Sequence, residues 1–217
     1  ADEKMFADDL LGCGGGPAAN AAVTAAKLGF KAAFAGYLGS DVYGNSHCAE
    51  LEAADVDTRL IVRGSSPTPL SAILVKPDGK RALINYKGST QALGDTCIDF
   101  SDVDCKAVLF DGHEPYLSQA WLRQSNQVPS VLDAGSLHAG TEALMFEVDY
   151  LVASEKFAMQ YADDVETALT RIASKSPVVV ITLGERGLIW RRGQERGELD
   201  APPITAIDTT GAGDAFH

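Results

Sequence analysis

"DDVETALTRIASKSPVVVITLG", residues 163–184, sets a helix directly before a strand. Val165, Leu169 and Ile172 fall on one face at helical spacing, which predicts an amphipathic helix. The run PVVVITLG is continuously apolar, the pattern of a strand buried on both sides. A helix leading into such a strand is the crossover unit of a parallel sheet.

The same rhythm extends upstream. AVLFDG (107–112), SVLDAG (130–135) and DYLVAS (149–154) are predicted strands, and LSQAWLRQSNQ (117–127) and AGTEALMFE (139–147) are predicted helices. RGLIWRR (186–192) and APPITAID (201–208) add shorter strands. Near the start, GGGPAANAAVTAAKLGF (14–30) reads as a glycine turn, a Pro at the first helical position and an Ala-rich helix stopped by Gly29. AAFAGYLG (32–39) is a predicted buried strand. SDVYGNSHCAELEAADV (40–56) is a second helix capped by Ser40 and Asp41, despite Gly44. The alternation argues for a mostly parallel sheet with helices on both faces. LSAILVKPDGKRALINY (70–86) breaks it: two apolar runs flank a Pro and Asp-Gly turn, which predicts an antiparallel hairpin forming a separate small sheet.

Composition narrows the function. The chain has 217 residues, 46% of them hydrophobic, enough for one sizeable core. Its formal net charge of -12 and lack of a basic stripe argue against nucleic acid and anionic membrane surfaces as partners. No apolar run reaches the ~20 residues of a membrane span. Cys13, Cys48, Cys97 and Cys105 show neither C-x-x-C nor zinc-finger spacing, so they read as reduced structural thiols of a cytoplasmic protein.

Three segments carry candidate chemistry. In DTTGAGDAFH (208–217), Gly211 and Gly213 bare backbone N–H groups and a helix opens. The positive end of that helix suits the charge of a transferring phosphoryl group. Asp214, in the first turn, is placed to accept a proton from a hydroxyl; equally, a first-turn Asp simply complements the helix dipole. In GGGPAAN (14–20), the glycines allow close approach to a ligand, and the Asn20 amide can donate to and accept from sugar hydroxyls; an ordinary tight turn is the alternative. ITLGERG (181–187) ends the most apolar strand, where ligands bind in open parallel sheets, and offers Thr182 and Gly184 to a nucleotide; a plain strand exit is the alternative.

Together these segments resemble the two signatures of the ribokinase-like (PfkB) carbohydrate kinases. The resemblance covers essentially the whole chain. It implies a three-layer α/β/α sandwich with a mostly parallel, Rossmann-like sheet and a small β-sheet lid. The kinase core would comprise 15–60 and 91–217, incomplete at both ends, and the lid 3–14 and 61–90. It also implies transfer of the ATP γ-phosphate to a sugar or nucleoside hydroxyl with Mg2+. Asp214 matches the base, and Gly211, Ala212 and Gly213 match the anion hole. Gly15, Gly16 and Asn20 match the sugar loop, with Asn85 and His113 reaching the sugar. Thr182, Gly184 and Ser154 match nucleotide contacts, and Asp208 and Thr210 match positions holding a monovalent cation such as K+ in several members. A homodimer through the lid is expected.

Two departures accompany the resemblance. The family's Asn-x-x-Glu motif, which organises Mg2+ through water, falls on ASEKFA (153–158), with Ser154 and Phe157 at the two positions and Glu155 as the substitute carboxylate. Pro17 stands where ribose-phosphorylating members carry Lys, which counts against ribose. GGGPAA with LINYKGS (83–89) looks closer to a subgroup including sulfofructose kinases, where Lys87 would meet an anionic substituent. A first strand with a sugar-binding Asp is expected ahead of ADEKMFADDLL, which itself reads as a lid strand. The helix begun at Gly211 is expected to run past His217, so residues 1–217 alone are expected to show little kinase activity. A nucleoside kinase and a non-catalytic sugar- or nucleotide-binding protein remain alternatives.

Overall fold

The computed structural model describes residues 6–75, 81–124, 127–205 and 209–217. The N-terminal part contains α1 (Pro17–Lys27), β1 (Ala32–Ala33), β2 (Gly36–Gly39), α2 (Val42–Ala53), β3 (Val56–Asp57) and β4 (Ile61–Gly64). The hairpin follows as β5 (Leu70–Val75) and β6 (Arg81–Tyr86). Then come β7 (Val108–Phe110), α3 (Pro115–Gln124), β8 (Ser130–Ala134), α4 (Ala139–Leu144), β9 (Tyr150–Ser154), α5 (Glu155–Tyr161), α6 (Val165–Ala173), β10 (Val178–Thr182), β11 (Leu188–Arg192), β12 (Glu195–Leu199) and α7 (Ala212–Phe216).

Six strands form one sheet in the order β12-β11-β10-β9-β8-β7. β7 to β10 run parallel, and β11 and β12 are added antiparallel. The register aligns the apolar rows: Leu132 lies opposite Leu151, which lies opposite Val179. Leu132, Ala134, Leu151, Ala153, Val179 and Ile181 share one face and are fully buried. That face closes over a core of Leu144, Phe157, Leu169 and Ile172. The opposite face carries Val131, Asp133, Val152, Ser154, Val180 and Thr182 by the two-residue alternation of strands.

The predicted alternation of strands and helices from 107 to 182 is present, and β5 and β6 pair antiparallel as predicted; the KPDGK turn between them, residues 76–80, lies outside the described residues. Asp41 caps α2 by accepting from the Gly44 N–H at 2.8 Å, and its other oxygen accepts from the Thr68 N–H at 2.8 Å. Gly44 is tolerated in α2 because the helix lies flush against β2: a Cβ there would stand 2.1 Å from the Gly39 carbonyl oxygen.

Other expectations are corrected. β10 is not buried on both sides; it alternates between buried and half-buried residues, because the tightly packed core covers one face. AAFAGYLG splits into two short strands, with β1 pairing with β3 and β2 with β4, and Phe34 and Ala35 between them. The predicted lid strand ADEKMFADDLL makes no strand over 6–11: Phe6, Leu10 and Leu11 are exposed, and residues 1–5 lie outside the described residues. Residues 201–205 of APPITAID also form no strand, since Pro202 and Pro203 have no N–H for a ladder; 206–208 lie outside the described residues. Among the described residues the last strand is instead the polar ERGEL of β12, where Gly197 lets Trp190 lie across the ladder.

Candidate active site

The two glycine loops meet. Gly16, with φ +98°, precedes α1, and Gly211, with φ +73°, precedes α7; both conformations favour glycine. α1 and α7 pack against each other. Asn20 in α1 donates from Nδ2 to Asp214 Oδ2 at 2.6 Å. A Cβ on Gly211 would lie in van der Waals contact with this pair, 3.4 Å from the Asn20 amide nitrogen. Gly15 has open space where a side chain would stand. Ala212 and Gly213 form the first turn of α7.

A third segment, the exit of β7, joins them. Asp111 accepts from the Ala18 N–H at 3.3 Å through Oδ2 and from the His113 N–H at 2.9 Å through Oδ1. His113 stacks on His138, with ring centroids 5.5 Å apart and an interplanar angle of 13°. His138 caps α4 by accepting the Gly140 N–H on Nδ1 at 3.2 Å. Burial, and then the nearby His113 and Lys87, hold its imidazole below the ordinary range. Glu114 accepts from the Leu93 N–H at 2.6 Å, and burial raises its carboxyl above the usual carboxylate range. Asp111, Glu114 and His138 were not among the residues the sequence singled out.

Thr182 and Ser154 lie opposite each other at the carboxyl ends of β10 and β9. Ser154 caps α5 by accepting the Phe157 N–H at 3.0 Å and donates to the Gly135 carbonyl at 2.9 Å. Gly184 has φ +62° with open space beside it. Thr182 Oγ1 lies 3.2 Å from His217 Nε2. Asn85 is engaged within the hairpin, where it accepts from the Ser71 hydroxyl at 2.7 Å. Thr210 is in the exposed loop before Gly211, and Asp208 lies outside the described residues.

Among the described residues no three His, Cys, Asp or Glu side chains converge into a metal cage. Phe157, at the family's Glu position, is fully buried in the core and offers no ligand. Glu155 is the adjacent carboxylate, and it pairs with Arg186 at 2.6 Å. Mg2+ keeps several waters and commonly takes one or two carboxylates plus substrate phosphates, so Glu155 fits that limited demand. No helix among the described residues is long and apolar enough to cross a membrane.

The model of the pfkB family carbohydrate kinases matches residues 13–217. The chain belongs to this family. It is thus a sugar or nucleoside kinase, a phosphotransferase dependent on ATP. It is 28% identical over 238 residues to a probable fructokinase-4 from Arabidopsis thaliana, covering 93% of this chain and 70% of that protein. The structure of an adenosine kinase from Sinorhizobium meliloti is similar at TM-score 0.78 and 27% identity, covering 93% of this chain and 68% of that one. A putative ribokinase from Agrobacterium tumefaciens shares the fold at TM-score 0.84 and 22% identity, over 100% of this chain and 74% of that one. The kinase therefore has the α/β sandwich of the ribokinase-like proteins.

Proposed function

We propose that this kinase transfers the γ-phosphoryl group of ATP to a hydroxyl of a ketohexose-type sugar, free or carrying a phosphate or sulfonate. The observation that carries the reading is the Asn20–Asp214 hydrogen bond, which joins the two glycine loops at one place. Asp214 takes the proton of the acceptor hydroxyl as its oxygen attacks the γ-phosphorus in line; the bond from phosphorus to the ADP oxygen breaks. Backbone N–H groups at Gly211, Ala212 and Gly213 receive the charge that builds on the phosphoryl oxygens. Gly15, Gly16 and Asn20 hold the sugar, with Asn85 reaching it from the lid and His113 from the exit of β7. Thr182, Gly184 and Ser154 line the nucleotide.

Glu155 is the residue that would hold Mg2+ through water, in competition with Arg186. The metal, when bound, neutralises phosphate charge. Asp208 and Thr210 supply oxygen donors suited to K+. Lys87 is the candidate contact for an anionic substituent.

The proposed kinase core comprises 15–60 and 91–217, and the lid 3–14 and 61–90. The exposed Ile73, Leu74, Val75, Leu83 and Ile84 of the hairpin support a homodimer through the lid. A cytoplasmic location goes with the free cysteines.

A nucleoside acceptor is the second reading, favoured by the 27% identity to an adenosine kinase. A non-catalytic binding role is favoured by Phe157 alone and leaves Asp214 without a purpose. Turnover of ATP by the full-length protein against sugars, sugar phosphates, sulfosugars and nucleosides separates these readings. A sugar acceptor is expected; preference for a nucleoside supports the second reading, and no acceptor at all supports a binding role.

A further inference from the structure

We infer that His217 is a positioning residue for phosphoryl transfer, tying the helix that carries Asp214 to the ends of two sheet strands. The inference rests on Asp214 being the base. His217 Nδ1 lies 2.7 Å from Asp133 Oδ1, and the two side chains are 3% and 4% exposed. Its Nε2 lies 3.2 Å from Thr182 Oγ1. Asp133 is on β8 and Thr182 on β10, with β9 between them. Asp133 and Val180 both lie opposite Val152, and Thr182 is two residues beyond Val180, so Asp133 and Thr182 project from the same face. The imidazole therefore spans β9 and grips a strand on either side.

The chemistry fixes the ring. A carboxylate oxygen accepts, so Nδ1 carries the hydrogen it shares with Asp133; Nε2 faces the Thr182 hydroxyl, which also reaches the Ala153 carbonyl oxygen at 3.3 Å. The order Asp–His–Thr matches that of a hydrolytic triad. Here the ring and carboxylate are nearly sealed from solvent, at 3% and 4% exposure, and the Thr182 hydroxyl is also hydrogen-bonded to the Ala153 carbonyl. The arrangement is an anchor.

α7 is held through two side chains. Asp214 and His217 are three residues apart, on neighbouring positions of one helical face. Asn20 holds the first and the sheet holds the second. Thr182 is also the proposed nucleotide contact, so one imidazole sets the base relative to the phosphoryl donor.

The test uses the full-length protein with MgATP and the best acceptor of the panel. His217→Ala is expected to lower kcat about 100-fold, the order of loss for a misplacement near 1 Å, with the acceptor KM within about threefold of the parent. His217→Asn, whose amide can donate to Asp133 as Nδ1 does, is expected to recover at least about tenfold of that loss. A kcat for His217→Ala within about twofold of the parent overturns the inference. So does equal loss in the Ala and Asn variants. Should the Ala variant not fold, the 15N spectrum of the parent decides: a hydrogen-bonded Nδ1 proton on His217 is expected, and an Nε2–H tautomer overturns the proposal. Asp214→Asn is measured alongside. If it keeps the parent's kcat, the base assignment fails, whatever the His217 spectrum shows.

Discussion

Asn20 donates to Asp214 at 2.6 Å although 194 residues separate them along the chain. The bond holds one carboxylate oxygen and leaves the other available for a proton. Asn20→Ala is expected to keep the fold, because the residue is only half-buried, and to lower kcat/KM about 10- to 100-fold through loss of orientation. Steady-state kinetics of the full-length variant check this. Asn20→Asp is expected to be worse than Ala, since it sets a second carboxylate against Asp214.

Gly44 is where helix propensity and packing oppose each other. Alanine in a helix interior gains about 1 kcal/mol over glycine. Its Cβ would stand 2.1 Å from the Gly39 carbonyl oxygen, a backbone atom that moves only with β2. Overpacking costs about 1–3 kcal/mol, and a backbone clash lies at the upper end, so Gly44→Ala is expected to destabilise. Urea denaturation measures the sign.

Asp41 gathers hydrogen bonds from the Thr68 N–H, the Gly44 N–H and the Thr68 hydroxyl, and these hold its carboxyl at about 2, below its ordinary 3.8. A depressed carboxyl contributes stability above its unfolded value and loses it as pH falls towards the folded one. Between pH 4 and pH 2, on the scale set by that shift, Asp41→Asn is expected to show a shallower loss of thermal midpoint than the parent, from a lower starting value. A parent and variant that decline in parallel would show that Asp41 does not contribute.

His138 works in the opposite chemical direction. Burial disfavours its charged form, and Nδ1 must stay unprotonated to accept the Gly140 N–H. Its folded value lies below the ordinary 6.5, so the stability it contributes is present above 6.5 and is lost as pH falls below it. His47, also lowered by burial, adds to the same decline. His138→Asn keeps a side-chain cap and is expected to flatten the fall in thermal midpoint just below pH 6.5. An unchanged slope would place the titration elsewhere.

Much of this was legible in the sequence because it is local. Gly16 and Gly211 stand out in glycine-rich loops just ahead of helical stretches, and 163–184 through periodicity. β12 was hidden because ERGEL has no strand pattern; its strand depends on β11 and on Gly197 giving way to Trp190. The one-sided burial of β10 was hidden too, since an apolar run does not report what covers each face. Asp111, His138 and the Asp133–His217 pair came into view only when distant segments met.

Single-turnover phosphoryl transfer by full-length protein tests Asp214 as the base. ATP labelled in the γ-phosphate is mixed with excess enzyme and the best sugar acceptor, for the parent and for Asp214→Asn. A fall of about 10²- to 10⁴-fold in the transfer rate is expected, with binding of both substrates retained. A variant that transfers at the parent's rate would contradict it.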